Sequence, residues 1–518
     1  MPLPDENTPW PPKNLVDAYD DMRQADVWYT GDKYQLAEYY GTLVKRDRDR
    51  PSVQAYLWAQ SRRLDEPERR VHVPVAGDIA AASAGLLASE APTIRFENAQ
   101  AQTRFDQLAE DGGLHMRLLE GLELCAALGD CYLATVWDRE AVPDRALLTV
   151  WPGDMAIPTI RYGRLIEVTF WRELSREGDV VLRLLERHAV EDGAGLIEYG
   201  LYEGTTANLG TRRPFNRHPD AAHLDALTDD QGRQLTGIGM LTATHIPNIR
   251  PNRRDRGYLG RSDYAAPVWD EMDAIDQTMT SWMRDIRLGK GRIAVPAGVL
   301  ESLGEGQGSY FDLDREVYDE INVDPKAPGF GITVAQFQIR HEEHRATKDD
   351  LLATIARSCG YSPSTFGLAE QGERTATEVV DRKEASMTTT ERKGMYVKTA
   401  LRRISQAWLA LDAAQFDSGV DVLDPPTVEM APAERPSRES EARSIQMLRA
   451  AEAISTWLVV KRQHPEWTDT EVQEEAARIE RERAAVTDAD PWMGAAEGLA
   501  ANRLEDNEDQ GDEPEDGE

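Results

Sequence analysis

Apolar residues recur at steps of three or four at Val268, Met272, Ile275, Met279, Met283 and Ile286. That spacing predicts a helix with one apolar face. The pattern stops at Leu288-Gly289-Lys290-Gly291, where two glycines remove helix propensity. Arg292-Ile293-Ala294-Val295-Pro296 then reads as a short strand, and a region rich in Gly and Pro runs to Gly331. A second helical stretch is expected from near Thr333 to Gly360. Two helices thus flank a small β-containing excursion, a stalk with a tip.

Upstream, Asn14 to Trp28 and Lys33 to Tyr40 read as short helices, and Trp58 sits in a further helical patch with Arg62-Arg63. An Ala-rich helix after Pro74 is expected to end at Glu90-Ala91-Pro92, where proline halts it. Leu114 to Leu128 is a stronger helix, with Leu118, Leu119, Leu122 and Cys125 on one side and Gly129-Asp130 as its stop. The texture then turns to β. Cys131–Trp137, Ala146–Trp151, Leu165–Trp171, Val180–Leu185 and Leu196–Tyr202 follow at hairpin spacing, predicting an antiparallel sheet or meander of about five strands. Thr205 to Gln234 reads as a polar surface loop, and His245-Ile246-Pro247-Asn248 closes this α+β part.

A long helix is expected from Thr375 to Phe416. Thr375-Ala376-Thr377-Glu378 fits a capping box, and Leu401, Ile404, Trp408 and Leu411 form an apolar stripe in its second half. Its first half, Asp381 to Gly394, is nearly all polar, which predicts a solvated or channel-facing end. A Pro-rich break separates it from a last helical region, Glu439 to Ala485. Arg503 to Glu518 is almost all Asp, Glu, Gly and Pro and reads as a disordered acidic tail.

Charge changes the picture. The chain has 518 residues and a formal net charge of −33, with 59 Lys and Arg against 92 Asp and Glu. Such a chain is a poor candidate for gripping nucleic acid by neutralising phosphates. Three cysteines, Cys125, Cys131 and Cys359, cannot form a disulfide framework. The N-terminus lacks a basic start with an apolar run, and no stretch reaches the ~20 apolar residues that cross a bilayer. A soluble chain made in the cytosol, with no membrane partner, is expected.

Catalytic signatures are near misses. Gly289-Lys290-Gly291 lacks the earlier glycine of a phosphate loop, because Arg284 stands there, and lacks the Ser or Thr after lysine. His341-Glu342-Glu343-His344 places its histidines at i and i+3, with Arg345 where a zinc helix needs the second one. Gly304-Glu305-Gly306-Gln307-Gly308 has no helix N-terminus behind it. No cofactor, metal or catalytic residue is assigned. The residues favour a non-enzymatic structural or assembly protein. Two alternatives stay open: a metal-dependent DNA-processing enzyme, and a virion structural protein such as a minor head protein without a channel.

Several stretches, in order, resemble portal proteins of long-tailed bacteriophages of actinobacteria. They are Val71-His72-Val73-Pro74 with the helix after it, Ala126-Ala127-Leu128-Gly129-Asp130-Cys131-Tyr132-Leu133 with Trp151-Pro152, and His245–Asn248 with Gly260-Arg261-Ser262-Asp263. Cys359-Gly360-Tyr361-Ser362-Pro363 through Leu368, Glu373 to Val379, and Ala453 to Glu482 continue the series. The resemblance implies an α+β multidomain portal fold. Its parts would be an N-terminal arm (1–14), a wing (15–255), a first stem helix (256–289) and a clip (290–332). A second stem helix (333–359), a tunnel-loop region (360–374), a long helix with wing return (375–436), a helical crown (437–485) and the acidic tail (486–518) would follow.

It further implies a homo-oligomeric ring, usually of twelve subunits, at one capsid vertex. The ring would be the channel for double-stranded DNA in packaging and ejection, in the host cytoplasm during assembly and then in the virion. Implied partners are the terminase large subunit, the head–tail adaptor, the major capsid protein and scaffold. Candidates to face DNA are Arg340, His341, His344, Arg345, Lys348, Gln371, Glu373 and Arg374. Candidates for the clip contact with terminase or adaptor are Glu305, Tyr310, Asp312 and Tyr318. Trp269 and Trp282 are expected to pack, and the Val268–Ile286 stripe to be buried between stems.

Overall fold

The computed structural model describes residues 3–46, 56–60, 69–254, 257–288, 292–294, 301–302, 309–310, 333–335, 339–368, 376–422, 424–431, 445–451, 453–464 and 467–489. Its contacts divide the chain into two units, Met1–Ala433 and Glu434–Glu518. The fold is mixed α+β.

The first unit opens with α1 (Val16–Thr30), stopped by Gly31 at φ 64°, whose N–H reaches Val27 O. Helix α2 (Lys33–Arg46) and α3 (Val75–Ala88) follow. Helix α3 ends at Ala88, with Ser89 as its C-cap, before the proline expected to halt it. After β1 (Thr93–Arg95) comes α4 (Ala99–Asp111), which the polar texture of its sequence hides. The Asn98 side chain caps it by accepting from Gln100 N and Ala101 N, and Ala101, Phe105 and Leu108 supply its buried face. Helix α5 (Leu114–Leu128) has the expected bounds, with Gly129 at φ 100° returning its N–H to Cys125 O.

The expected single meander is two sheets. Strands β2 (Asp130–Val136) and β3 (Leu147–Pro152) pair with each other, and β2 takes β10 (Ala243–Pro247) on its far side. The meander proper is β4 (Ala156–Arg161), β5 (Arg164–Glu177), β6 (Val180–Glu191), β7 (Ala194–Thr205) and β8 (Asn208–Arg213), in that spatial order. Strand β9 (Arg233–Leu235) also pairs with β7. The stretch Thr205–Gln234 is therefore no plain surface loop. Phe215, Ala221 and Leu224, on short helical turns between β8 and β9, bury against Leu184, Ile197 and Leu201 of the sheet. Turns this short leave no periodicity to read.

Helix α6 (Val268–Leu288) and α7 (His341–Cys359) are the helix pair that flanks the excursion. They pack against each other. Thr333–Ala335 does not start the second helix. It is a strand, β14, paired antiparallel with β11 (Arg292–Ala294), Arg292 opposite Ala335. β-Branched Thr333 and Val334 suit a strand, while Glu342 and Glu343 suit the positive end of a helix starting at His341. Within the excursion, β12 (Glu301–Ser302) pairs with β13 (Ser309–Tyr310).

Helix α8 (Ala376–Phe416) ends where expected. Its Leu401, Ile404, Trp408 and Leu411 are fully buried against Leu118, Leu122 and Cys125 of α5 and Phe105 and Leu108 of α4. β15 (Thr427–Glu429) closes the unit by pairing with β1. A second core gathers Met22, Trp28, Trp58 and Ile79 around Val268, Met272 and Ile275 of α6 and Ile355 and Cys359 of α7. The α6 stripe is thus buried at its root, together with Trp269, whereas Ile286 at its far end is exposed. Gly394 on α8 has nothing within 4 Å of where a Cβ would lie. Gly394→Ala is expected to raise stability by about 0.5–1 kcal/mol through helix propensity alone, read as a higher urea midpoint.

In the second unit the expected helical region contains α9 (Thr456–Gln463) and α10 (Asp469–Ala489). Ser455 caps α9 through Leu458 N. Thr468 and Glu471 form a reciprocal box at the start of α10: Thr468 N donates to Glu471 Oε2 at 2.8 Å, and Glu471 N to Thr468 Oγ1 at 3.4 Å. Val460, Val472 and Ala476 are buried. Helix α10 takes in residues 486–489, which were expected to begin the acidic tail; residues 490–518 lie outside the described residues, as does Thr375 of the other expected capping box.

Candidate functional site

Several of the short motifs, those at Ala126–Asp130, Asn248, Gly260–Asp263 and Tyr361, meet at the root of the helix pair. Gly129 and Gly260 cross backbone to backbone there. Gly260 N donates to Asp130 Oδ1 at 2.8 Å, and Asn248 N donates to Gly129 O at 2.8 Å. Asp263 N donates to Ala126 O at 3.0 Å, and His245 Nε2 lies 2.6 Å from Asp130 Oδ1. At the centre, Lys393 of α8 and Asp263 form a buried ion pair at 2.6 Å. Lys393 Nζ also donates to Ser83 Oγ of α3 at 2.7 Å and Tyr361 OH at 2.8 Å. Asp263 accepts further from Asn248 Nδ2 at 2.8 Å and Tyr361 OH at 2.9 Å. Burial, with Asp263 beside it, pushes the Tyr361 phenol far up, so it stays protonated and able to donate.

A stripe of hydroxyls continues this knot along α8. Ser362 N donates to Ser386 Oγ at 2.9 Å, Thr365 Oγ1 sits 2.8 Å from the same oxygen, and Thr389 Oγ1 donates to Gly360 O at 2.6 Å. Ser386, Thr390 and Lys393 are buried. The polar first half of the helix therefore does not simply face solvent or a channel, because one stripe of it docks residues 360–365. The signal was present as Ser386, Thr389, Thr390 and Lys393 at helical spacing. Their partners, up to 310 positions away, were not.

At the other end of the helix pair, Asp285 of α6 takes a fork from Arg340, with Nε at 2.8 Å and Nη2 at 3.2 Å. His344 Nε2 lies 3.0 Å from Asp285 Oδ2, and its ring stacks on Trp282 with centroids 5.9 Å apart. Contacts at both ends, Asp263 with Tyr361 and Asp285 with His344, make the two helices antiparallel. The Arg340 fork and His344 hold the Asp285 carboxyl down at about 2, from its ordinary 3.8. Because the folded value is the lower one, this cluster stabilises the fold above about pH 4 and its contribution disappears as pH falls towards 2. The melting temperature of Asp285→Asn should sit below that of the native chain at pH 6, and the gap should close by pH 2. A gap independent of pH would remove the cluster's role.

Of the residues singled out as DNA-facing, Arg340 and His344 are engaged by Asp285, and His344 is turned inward. His341 is exposed with Nδ1 3.1 Å from Glu342. Arg345 and Lys348 both approach Asp349, at 3.8 and 3.1 Å. Tyr310 lies opposite Glu301 in the β12–β13 ladder. Gln371, Glu373, Arg374, Glu305, Asp312 and Tyr318 lie outside the described residues. Trp282 packs, as expected, on the His344 ring, whereas Asp285 and the Lys393 knot were not anticipated.

Among the described residues, no group of three or more His, Cys, Asp or Glu is placed to hold a metal ion, and no helix is long and apolar enough to cross a membrane. Burial pushes the thiols of Cys125 and Cys359 far up and keeps them as neutral thiols.

No family model and no curated protein matches the chain. Among solved structures, it is similar to a chain from the neck of an empty GTA particle computed with C6 symmetry. The TM-score is 0.38 at 12% identity, over 87% of this chain and 93% of that one.

Proposed function

We propose that this chain is a portal subunit. It forms a closed homo-oligomeric ring at one vertex of a phage capsid, the channel for DNA packaging and ejection. The observation that carries the reading is the antiparallel pair α6 and α7, rooted in an α+β body and carrying a strand-closed excursion between Arg292 and Ala335. In a ring, such pairs stand side by side as stems, and the excursion projects as the clip that receives the terminase and later the head–tail adaptor. The motif series from Val71 to Glu482 supports the same reading.

The charge fits a conduit. A net charge of −33 keeps phosphate from sticking, by the Coulomb logic that makes basic grooves retain DNA. Residues 340–350 carry Arg340, Arg345 and Lys348 against Glu342, Glu343, Asp349 and Asp350, a segment of mixed charge suited to passing DNA rather than holding it. The reading assigns no catalytic step to the chain.

Negative-stain imaging and mass photometry of the purified full chain test it. Rings with a central hole and roughly twelve subunits are expected, the closed symmetry that heterologous contacts generate when the rotation closes. A monomer that cuts DNA in the presence of Mg²⁺ would establish a nuclease instead. An assembly without a central hole would point to a head protein that is no channel.

A further inference from the structure

The root of the helix pair is joined to α8 by contacts of one chemical kind. Lys393, Ser386 and Thr389 of α8 reach Asp263, Tyr361, Ser362, Thr365 and the Gly360 carbonyl through hydrogen bonds of 2.6–2.9 Å. Asp263 lies five residues before α6, and Tyr361 two residues after α7. One buried ion pair therefore holds the start of one helix, the end of the other, and α8 together. Its donors and acceptors are matched: Asp263 receives Lys393, Asn248 and Tyr361, and Lys393 also reaches Ser83. Buried polar contacts are directional and satisfied in one arrangement, whereas apolar contacts of similar area tolerate several.

We infer that the Lys393–Asp263 pair is a register lock, setting the one angle at which the α6–α7 pair leaves the body. Its loss changes the spread of that angle more than it changes whether the chain folds. This inference stands on the fold and is independent of the portal reading.

The test is the near-isosteric pair Asp263→Asn with Lys393→Met, which removes both charges together and keeps Asn248 and Tyr361 as hydrogen-bond partners of the side chain at 263. Spin labels are placed at Arg284→Cys, towards the far end of α6, and Met395→Cys, exposed on α8. The labelled full chain is diluted with unlabelled chain so that only distances within one chain are read by electron–electron resonance. The native background should give one narrow distance distribution. The neutral pair should retain a cooperative melt and at least double the width of that distribution, and Lys393→Arg should recover part of the narrowing. A native width in the folded neutral pair overturns the inference. So does failure of the neutral pair to fold, because the ion pair would then serve stability and not register.

Discussion

Lys393→Met alone is expected to destabilise the first unit by about 3–5 kcal/mol, the usual cost of orphaning a buried charge. The Asp263 side chain has no exposed surface and Lys393 only 3%. Methionine fills the space of the lysine stem, so the loss is not a cavity effect. It comes from a carboxylate left with Asn248 and Tyr361 as its remaining side-chain donors, far from water. Urea denaturation followed by tryptophan fluorescence reads it, since Trp28, Trp58 and Trp408 are all buried in this unit. Arg117→Ala is the matched control. It breaks an exposed pair with Glu120 at 3.2 Å, for which surface ion pairs suggest no more than about 1 kcal/mol. If the two changes cost the same, the knot is not a site of buried charge.

The contrast between these two lysine and arginine pairs also explains what was legible from the sequence. Helix α5 and the apolar half of α8 were readable because their burial repeats every three or four residues within one element. The antiparallel helix pair was readable for the same reason at Val268 to Ile275, where the stripe is buried. Partner choice was not local. Strands β2 and β4 look alike along the chain, yet β2 is claimed by β10, more than a hundred residues on, and so leaves the meander. Thr333–Ala335 is a strand because Arg292–Ala294 lies beside it, a fact that three residues cannot announce. The buried stripe on the polar half of α8 was missed for a deeper reason. A buried polar stripe has the composition of a solvated one, and only its partners distinguish them. The motif series fared better. Gly129 and Gly260, with Asn248 and Asp263, turn out to meet at one crossing, which joins those of its stretches that lie far apart in sequence.

Gly260→Ala is expected to be strongly damaging although it adds only a single methyl group. A Cβ at Gly260 would sit 2.1 Å from Gly129 O and 2.9 Å from Asn248 N. Both are backbone atoms, so no side chain can rotate away to make room. Gly129 is tied in place too, since its carbonyl accepts from Asn248 N at 2.8 Å. The crossing must open. That stretches Gly260 N–Asp130, Asn248 N–Gly129 O and the neighbouring Asn248–Asp263 bond together. Overpacking of this rigid kind costs about 3 kcal/mol or more. Because the methyl group and the Lys393→Met change release the same knot, their effects should combine to less than their sum. A double-mutant cycle in urea measures the shortfall. Full additivity would mean that the glycine crossing and the ion pair are separate structures, and a loss below about 1 kcal/mol for Gly260→Ala would mean that the crossing yields without resistance. The opposite sign expected at Gly394, also a glycine of the first unit but in open space, makes the comparison a test of contact and not of glycine as a residue type.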